Sequence, residues 1–278
     1  MQNYTLVTSH FSTSQTTFIY PTMKKLFNKL SAILYPLVSI LAMLLVWHLI
    51  FLYVGSQEIF PSIGATLQSI ANYLTDGNFW LTLLSTLGRV LLCFVLSLMM
   101  AIVMGVFGKI APVVNKILSP VVALFRSAPT VAVMVILILF QDPKHPERTP
   151  IFVGLLVVFP MLYANVTSAI SQVDNGLVEM CKLYNVPKAE QLKFVYLPAV
   201  VPYLLGELPA TLSFTVKLIV SAEILCYTYQ SIGGLIQSAN VYSDMASLFA
   251  LTLLSVAFAT ILDALLRLVA KRIKGGAR

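Results

Sequence analysis

Six long apolar segments, most of about 20 residues or more, constrain this chain more than any other feature of its sequence. A helix needs about 20 mostly apolar residues to cross the hydrocarbon core of a bilayer. Several of these segments have no charge near their centre, so lipid is the solvent that suits them. The sequence therefore predicts an all-α, polytopic membrane protein with about six transmembrane helices. The predicted spans are residues 31–53, 81–107, 121–140, 151–170, 203–227 and 245–269.

The amino-acid composition supports a membrane location and argues against other classes of protein. Hydrophobic residues make up 58% of the chain and charged residues 10%, whereas a soluble domain has roughly 25% charged residues. The formal net charge of +7 is explained by lysines and arginines that collect in cytoplasmic loops and beside anionic headgroups. We therefore expect the lipid membrane, and not nucleic acid, to be a partner.

The distribution of Lys and Arg predicts the orientation of the spans. Residues 59–80, between spans one and two, contain no Lys or Arg, and their interrupted apolar pattern predicts an external connection with an interfacial helix. The stretch from span five to Asp244 also lacks basic residues. The positive-inside rule then places both termini in the cytoplasm. The basic residues that support this topology are Lys24, Lys25, Lys29, Lys182, Lys188, Lys193, Lys271, Arg272, Lys274 and Arg278.

The ends of the chain differ from the membrane domain. Residues 1–25 are rich in Ser and Thr towards their start and have no long apolar core, and we expect a disordered extension there. Met23-Lys24-Lys25-Leu26 has the pattern of a natural start. The membrane domain is expected over 26–273, followed by a basic cytoplasmic tail over 274–278.

No motif in the sequence predicts catalysis, a metal site or a cofactor. There is no GxxxxGKS/T phosphate loop, no GxSxG elbow and no HExxH motif. The cysteines and histidines are scattered, without the spacing of metal ligands or of a redox pair. If ATP drives this protein, another chain is expected to bind it.

The segment 171–198 is long, polar and amphipathic, which is unusual for a loop between spans. Its apolar residues recur at helical spacing, while Glu179 and Lys182 fall on the polar side. Asn185 stands where a helix ends in a left-handed residue, and Pro187 follows. A second short helix, Lys188 to Tyr196, would return to the membrane. The pattern predicts a helix-turn-helix on the cytoplasmic surface, and it fits equally a helix that lies on headgroups. The apolar residues are Leu177, Met180, Leu183 and Tyr184.

The spacing within this segment resembles the signature of ABC importer permeases, which is E-A-A, three residues, G, nine residues, I, any residue, then L-P. Here Glu179-Met180-Cys181 stands at E-A-A, Asn185 at G, Val195 at I and Leu197-Pro198 at L-P. The resemblance extends over about 26–273. Four local patterns, at 86–90, 125–129, 221–223 and 232–235, are similar to the branch of nitrate, sulfonate, taurine and bicarbonate permeases, and thiamine-precursor permeases look alike.

The resemblance implies a coupling helix that docks on a cytoplasmic ATPase. Glu179 to Tyr184 would form the docking face, Asn185 and Pro187 the turn, and Leu197-Pro198 the elbow that re-enters the bilayer. It also implies a subunit without enzymatic activity in a bacterial cytoplasmic membrane. The expected partners are two ABC ATPase subunits, a second permease copy and an external substrate-binding protein. The expected substrate is a small anion or organic acid such as a sulfonate, nitrate or bicarbonate, and the alternative is a thiamine precursor or a similar small metabolite.

Three charged residues are candidates for lining a translocation pathway. Lys217 and Glu223 lie inside span five, where an ionisable group is costly unless it faces a cavity or a partner. They are six residues apart and therefore project from different faces of a helix. Lys217 could instead pair with Glu223 of a symmetry mate or with backbone carbonyls. Arg126, like Arg89, lies near a span end, where a long basic side chain can snorkel to the headgroups.

Two other classes of function compete with an ABC permease. A secondary carrier or channel works without an ATPase, but it has no need of a docking loop at this spacing. A membrane enzyme needs convergent polar groups, and the sequence shows no His/Asp/Glu cluster at one membrane depth.

Overall fold

The structure, a computed structural model, describes residues 16–142 and 144–276, and it is all-α as the sequence predicts. A short 3₁₀ turn, Pro146–Arg148, precedes the sixth helix, and a π turn, Leu192–Tyr196, precedes the ninth. The helices are α1 Thr16–Val54, α2 Ile63–Thr75, α3 Gly77–Ile110, α4 Pro112–Ser127, α5 Thr130–Leu139, α6 Thr149–Ser171, α7 Asn175–Leu183, α8 Lys188–Gln191, α9 Leu197–Leu225, α10 Ile232–Val241 and α11 Met245–Gly276.

Five helical segments of the described chain are long and apolar enough to cross a membrane, and a bent pair of helices can supply a sixth span. The prediction of about six transmembrane helices is thus confirmed. The short α2 also lies inside the connection where we expected a separate helix. The five segments are Leu34–Val54, Gly77–Lys109, Pro146–Ser171, Lys188–Leu225 and Met245–Arg272.

The predicted third span, 121–140, is not one continuous helix. α4 and α5 meet at a bend of 97°. Ala128 precedes Pro129 and has extended backbone, with φ −68° and ψ 137°, because a proline ring disfavours helical backbone in the residue before it. Helices of 16 and 10 residues are about 24 and 15 Å long, and each is shorter than the bilayer core of about 30 Å. Neither half spans the membrane alone.

The described residues up to Ile63 form one unit of the chain, and those from Gly64 onwards form another. In the first unit, the Trp47 indole donates a hydrogen bond of 3.0 Å to the Pro61 carbonyl oxygen. The Trp47 and Phe60 rings pack edge to face with centroids 5.8 Å apart. Residues 1–15 of the predicted disordered extension lie outside the described residues. Residues 16–25, which were also predicted to be disordered, instead form the first turns of α1, where Met23, Lys24 and Lys25 are good helix formers.

In the second unit, α6 and α9 form the centre of the helix packing. α3 and α9 pack on α6, while α10 and α11 pack on α9. Buried aliphatic side chains fill the space between these helices. Gly154 of α6 permits the close approach, because a Cβ there would collide with Cys93 of α3 and lie 2.9 Å from Ile219 of α9. The largest buried aliphatic residues include Val90, Val153, Val158, Leu162, Ile219 and Leu251.

Candidate functional site

The helix α7 begins at a well-formed cap. Asp174 precedes the helix, and its carboxylate accepts a hydrogen bond of 2.8 Å from the Gly176 N–H. Aspartate is favoured at this position because it satisfies a free backbone donor and complements the positive end of the helix dipole. The sequence therefore fixes where the amphipathic helix starts.

The helix α7 ends in a Schellman motif around Asn185. Asn185 has φ 52°, which is the left-handed conformation predicted from the sequence. The Val186 N–H donates to the Cys181 carbonyl over 2.9 Å, and the Asn185 N–H donates to the Lys182 carbonyl over 3.2 Å. These bonds satisfy carbonyls that a helix end leaves free. The Gln191 side chain donates to the Val186 carbonyl over 2.8 Å and ties the turn to α8.

The two faces of α7 differ in what they contact. Val178 and Cys181 are half-buried and face the rest of the chain. On the other side, Leu183 and Tyr184 are 79% and 77% exposed. Leu177 and Met180 are exposed as well. An apolar face that stays exposed on a capped helix is suited to contact with a partner protein or with lipid headgroups.

The link between α8 and α9 differs from the prediction of a separate short helix and an elbow at Leu197-Pro198. The π turn joins α8 to α9 without a break, so Leu197 and Pro198 lie in a continuous helix. The Leu197 N–H bonds back to the Leu192 carbonyl. Because proline has no N–H and crowds the carbonyl four residues earlier, a widened turn is a reasonable accommodation for Pro198.

Most residues predicted for this segment lie on the surface of the chain. Val195 is the exception, because it is half-buried. We call the segment 175–196 the coupling segment below, after the role that the sequence predicts for it. The structure leaves nine of the predicted site residues exposed. They are Leu177, Glu179, Met180, Leu183, Tyr184, Asn185 and Pro187 within the segment, and Leu197 and Pro198 beyond it.

Glu223 is fully buried near the end of α9 and binds groups from two other helices. Arg89 Nη1 of α3 donates to Glu223 Oε1 over 2.8 Å. Thr86 Oγ1 donates to Oε2 over 3.1 Å, and the Gly233 N–H of α10 donates to the same oxygen over 3.2 Å. We call Thr86, Arg89, Glu223 and Gly233 the ion-pair cluster. It connects α3, α9 and α10 through one carboxylate.

Gly233 is the residue that lets α10 reach this carboxylate. A Cβ at this position would lie 2.6 Å from the Val220 carbonyl oxygen and 2.7 Å from the Ile224 nitrogen, both in the backbone of α9. These distances are too short for any side chain. Glycine thus allows the α10 backbone to touch α9 and donate its N–H to Glu223.

The ion-pair cluster corrects two predictions about intramembrane charges. Arg89 does not extend to the headgroups, since its guanidinium bonds Glu223 inside the chain. Glu223 already has that partner, so its pairing with Lys217 of a symmetry mate is not supported. Thr86 and Arg89 were missed as functional residues. Their spacing of three places them on one helix face, and an arginine inside a span needs a partner.

Lys217 and Arg126 lie apart from this cluster. Lys217 is exposed while Glu223 is buried, as expected from their different helix faces. Lys217 borders a groove of about 210 Å³ between α9 and α11, which the hydroxyl residues Ser221, Thr252 and Ser255 also line. Arg126 is exposed in the last turn of α4. Within the described residues no contact brings Arg126 to either of the other two charges.

The turn after α9 borders a cavity beside the cluster. Tyr227 and Gln230 have φ of 51° and 46°, which is an uncommon conformation for side chains of this size. Arg89 lies 3.4 Å from the Tyr229 and Gln230 carbonyl oxygens and helps to hold the turn. A cavity of about 530 Å³ opens beside it, lined by Asn78, Thr82, Tyr229 and Gln230 among others.

Comparison with known proteins decides the family. Residues 97–275 match the family described as binding-protein-dependent transport system inner membrane component. The chain belongs to this family. Its members are transport permeases, so the resemblance to ABC importer permeases noted from the sequence is confirmed, and the chain is a multi-pass inner membrane protein.

Among the described residues, no group of three His, Cys, Asp or Glu side chains could hold a metal ion.

Several curated permeases are similar to this chain. The taurine transport system permease protein TauC of Escherichia coli (strain K12) is 24% identical over 60% of both chains. The bicarbonate transport system permease protein CmpB of Synechococcus elongatus is 28% identical over 80% of this chain and 84% of its own length. The putative aliphatic sulfonates transport permease protein SsuC of Bacillus subtilis is 22% identical over 82% of both.

Solved ABC transporters share the permease fold. A bacterial ABC transporter that imports the acidic polysaccharide alginate aligns with a TM-score of 0.63, over 90% of this chain and 99% of that chain, at 17% identity. The MetNI methionine ABC transporter, in an inward-facing conformation, aligns with a TM-score of 0.53 over 72% and 94%, at 21% identity. At these identities the likeness establishes the fold alone.

Proposed function

We propose that this chain is the membrane-spanning permease subunit of an ATP-driven importer, which forms the substrate pathway and is moved by a separate cytoplasmic ATPase. The observation that carries the proposal is the coupling segment, a rigidly capped helix whose apolar face stays exposed. Leu183 and Tyr184 are more than three-quarters exposed, and burial of one such side chain against a partner stabilises the contact by about 1.5–3 kcal/mol.

The continuous connection from the coupling segment to α9 supports a mechanical role. The Schellman turn and the Gln191 hydrogen bond fix α7 against α8, and α8 continues through the π turn into α9. A displacement of α7 is therefore passed on to a helix whose far end holds the ion-pair cluster. A docked ATPase that moves α7 would tilt α9 and, through Glu223, the helices α3 and α10.

The proposed assembly contains two copies of this permease, two ABC ATPases and an external substrate-binding protein. ATP binds the ATPase subunits, and the permease itself carries no cofactor in this proposal. The family description names a binding-protein-dependent system, and the solved relatives are ABC transporters. With the basic coupling segment on the cytoplasmic face, both termini lie in the cytoplasm, since six spans return the chain to the side where it began.

The proposed substrate is a small anion or organic acid, such as a sulfonate, nitrate or bicarbonate. The names of three relatives, for taurine, bicarbonate and aliphatic sulfonates, support this class. Lys217 and three hydroxyl residues line a groove together with aliphatic side chains, and a cation there would favour an anion. Arg126 is a second candidate cation along the pathway, whereas Glu223 acts in this proposal as a brace.

The test replaces both exposed apolar residues at the end of α7. The variant Leu183→Ala/Tyr184→Ala, co-expressed with the ATPase partner and reconstituted in proteoliposomes, should lose ATPase copurification and ATP-driven uptake. Tyr242→Ala is the matched control, because Tyr242 is 83% exposed at the end of α10, outside the coupling segment. Unchanged copurification and uptake in the double variant would refute the proposal.

A further inference from the structure

A basic pocket of about 240 Å³ lies where α7 and α8 meet the end of α3. Lys109 of α3, Lys182 of α7 and Lys188 of α8 line it, together with Gln191. No acidic residue is found among the described residues that line the pocket. Three cations that converge from three helices repel one another, and the arrangement is stabilised when an anion lies between them.

The pocket continues into an apolar groove of about 100 Å³ between α3, α6 and α9. The two share Val106, Lys109, Leu192 and Tyr196. Beyond this shared wall, the groove is lined by aliphatic side chains alone. These residues are Ile102, Val166, Ile170, Leu197, Val200, Val201 and Leu204.

The depth of this site corresponds to the level of lipid headgroups. Lys109 is the last residue of the candidate span Gly77–Lys109, so the groove lies along the apolar part of the span and the pocket lies at its end. The Lys109 ammonium lies 5.4 Å from the centre of the Tyr196 ring, within the range of a cation–π contact. This contact holds one of the three cations at the boundary between pocket and groove.

We infer that this site binds one anionic glycerophospholipid, with its phosphate among the three lysines and an acyl chain in the groove. Basic pockets between spanning helices are suited to anionic headgroups, and the adjoining apolar groove selects a lipid over a free phosphate. Because Lys182 and Lys188 belong to the coupling segment and Lys109 to α3, the bound lipid braces the coupling segment against the membrane. The brace rests on the proposed function, whereas lipid binding does not.

Lipid binding is tested on the purified chain in detergent by native mass spectrometry, with dioleoyl phosphatidylglycerol as the probe. Each lysine replaced by glutamine should weaken binding about fivefold. The variant Lys109→Gln/Lys182→Gln/Lys188→Gln should weaken it about a hundredfold, because independent fivefold losses multiply. The control Lys116→Gln/Lys193→Gln/Lys271→Gln removes the same charge from exposed positions outside the pocket and should bind as the wild type does. Equal loss in both triple variants overturns the site.

Two further variants separate the headgroup from the acyl chain and guard against misfolding. Replacing the three pocket lysines by arginine should restore binding, because the charge is kept. Val201→Trp fills the groove and should weaken binding at least fivefold, whereas Leu265→Trp, at an exposed position on α11, should not. Competition by glycerol 3-phosphate as strong as that by the lipid, or full binding in Val201→Trp, overturns the lipid assignment in favour of a small anion.

The brace is tested separately in proteoliposomes with the ATPase partner. Uptake per ATP hydrolysed should fall at least threefold when phosphatidylglycerol is replaced by phosphatidylcholine, and the triple glutamine variant should show the low value in both lipids. If uptake per ATP hydrolysed does not depend on the lipid, while mass spectrometry still detects lipid binding, the brace alone is refuted. If the wild-type chain binds the lipid but does not associate with the ATPase in any lipid, the proposed function is refuted instead.

Discussion

The two ends of α9 differ in whether their key side chains find partners within the chain. At one end, the ion-pair cluster buries Glu223 completely and supplies it with hydrogen bonds from Arg89, Thr86 and Gly233. At the other end, the coupling segment leaves Leu183 and Tyr184 exposed on a helix that is carefully capped. The first region is complete within the chain, and the second is the surface that we propose to dock a partner.

The difference shows that one membrane helix can be held firmly at one end and present an uncovered apolar surface at the other. Removing a partner from a buried, fully hydrogen-bonded charge strongly destabilises the fold. The cluster therefore holds α3, α9 and α10 in one arrangement. Exposed apolar side chains contribute little to stability until a partner covers them. Substitutions should therefore affect stability at the cluster and assembly at the coupling segment.

Removing one partner of the buried ion pair is expected to give the largest loss of stability. Arg89→Gln leaves the Glu223 charge buried without its cation, which costs about 3–5 kcal/mol. The thermal midpoint in detergent should fall strongly, and the double variant Arg89→Gln/Glu223→Gln should be less destabilised than the sum of the two single variants. Arg267→Gln, which breaks the exposed Arg267–Asp263 pair, is the control and should change little. Additive single effects would show that Arg89 and Glu223 are not coupled.

A methyl group at Gly233 should give the next largest effect. Gly233→Ala forces α10 away from the α9 backbone and weakens the N–H bond to Glu223, at a cost of about 1–3 kcal/mol. Gly88→Ala is the matched control on α3, since its Cβ would meet open space, and it should be neutral or stabilising by about 0.5–1 kcal/mol. A thermal midpoint that does not separate the two variants contradicts the proposed contact.

The turn at Asn185 should show an intermediate and local effect. Asn185→Val places a β-branched residue at φ 52°, which costs about 1–2 kcal/mol, while Asn185→Gly should be neutral or slightly stabilising. The measurement is limited trypsin digestion at Lys182 and Lys188, which flank the turn. Faster cleavage in the valine variant alone supports a strained left-handed turn, and equal cleavage in both variants argues against it.

The smallest effect on stability is expected at the exposed face of α7. Leu183→Ser changes a side chain that is 79% exposed, and the thermal midpoint of the isolated chain should correspond to a change within about 0.5 kcal/mol. Leu162→Ser, at a fully buried position of α6, should be strongly destabilising and serves as the contrast. A large loss of stability in Leu183→Ser would mean that this face packs within the chain.

Local sequence patterns were sufficient for features that depend on neighbouring residues. Long, mostly apolar segments located the spans, and the Asn185-Val186-Pro187 sequence predicted a left-handed turn that the structure confirms. The break at Ala128-Pro129 is also local, but the sequence could not show that its angle reaches 97°, since that depends on packing.

Contacts between distant residues were not visible in these patterns. Arg89 and Glu223 are 134 positions apart, so nothing in the neighbourhood of either residue identifies the other. Snorkelling was a reasonable expectation for an arginine near a span end, but the helix packing places it opposite a buried carboxylate. The π turn was missed for a similar reason, because one widened turn hardly changes the hydrophobic period of a helix.

The π turn also sets the angle at which the coupling segment is presented. One additional residue in a helix rotates everything before it by about 100° relative to everything after it. The five residues Leu192–Tyr196 therefore work as an angular offset between the membrane-facing surface of α9 and the surface carried by α8 and α7. Loss or gain of a single residue there would leave α9 itself helical and yet aim the coupling segment in a different direction. A partner docked on that segment would then meet the chain at a different orientation, with the membrane core unchanged.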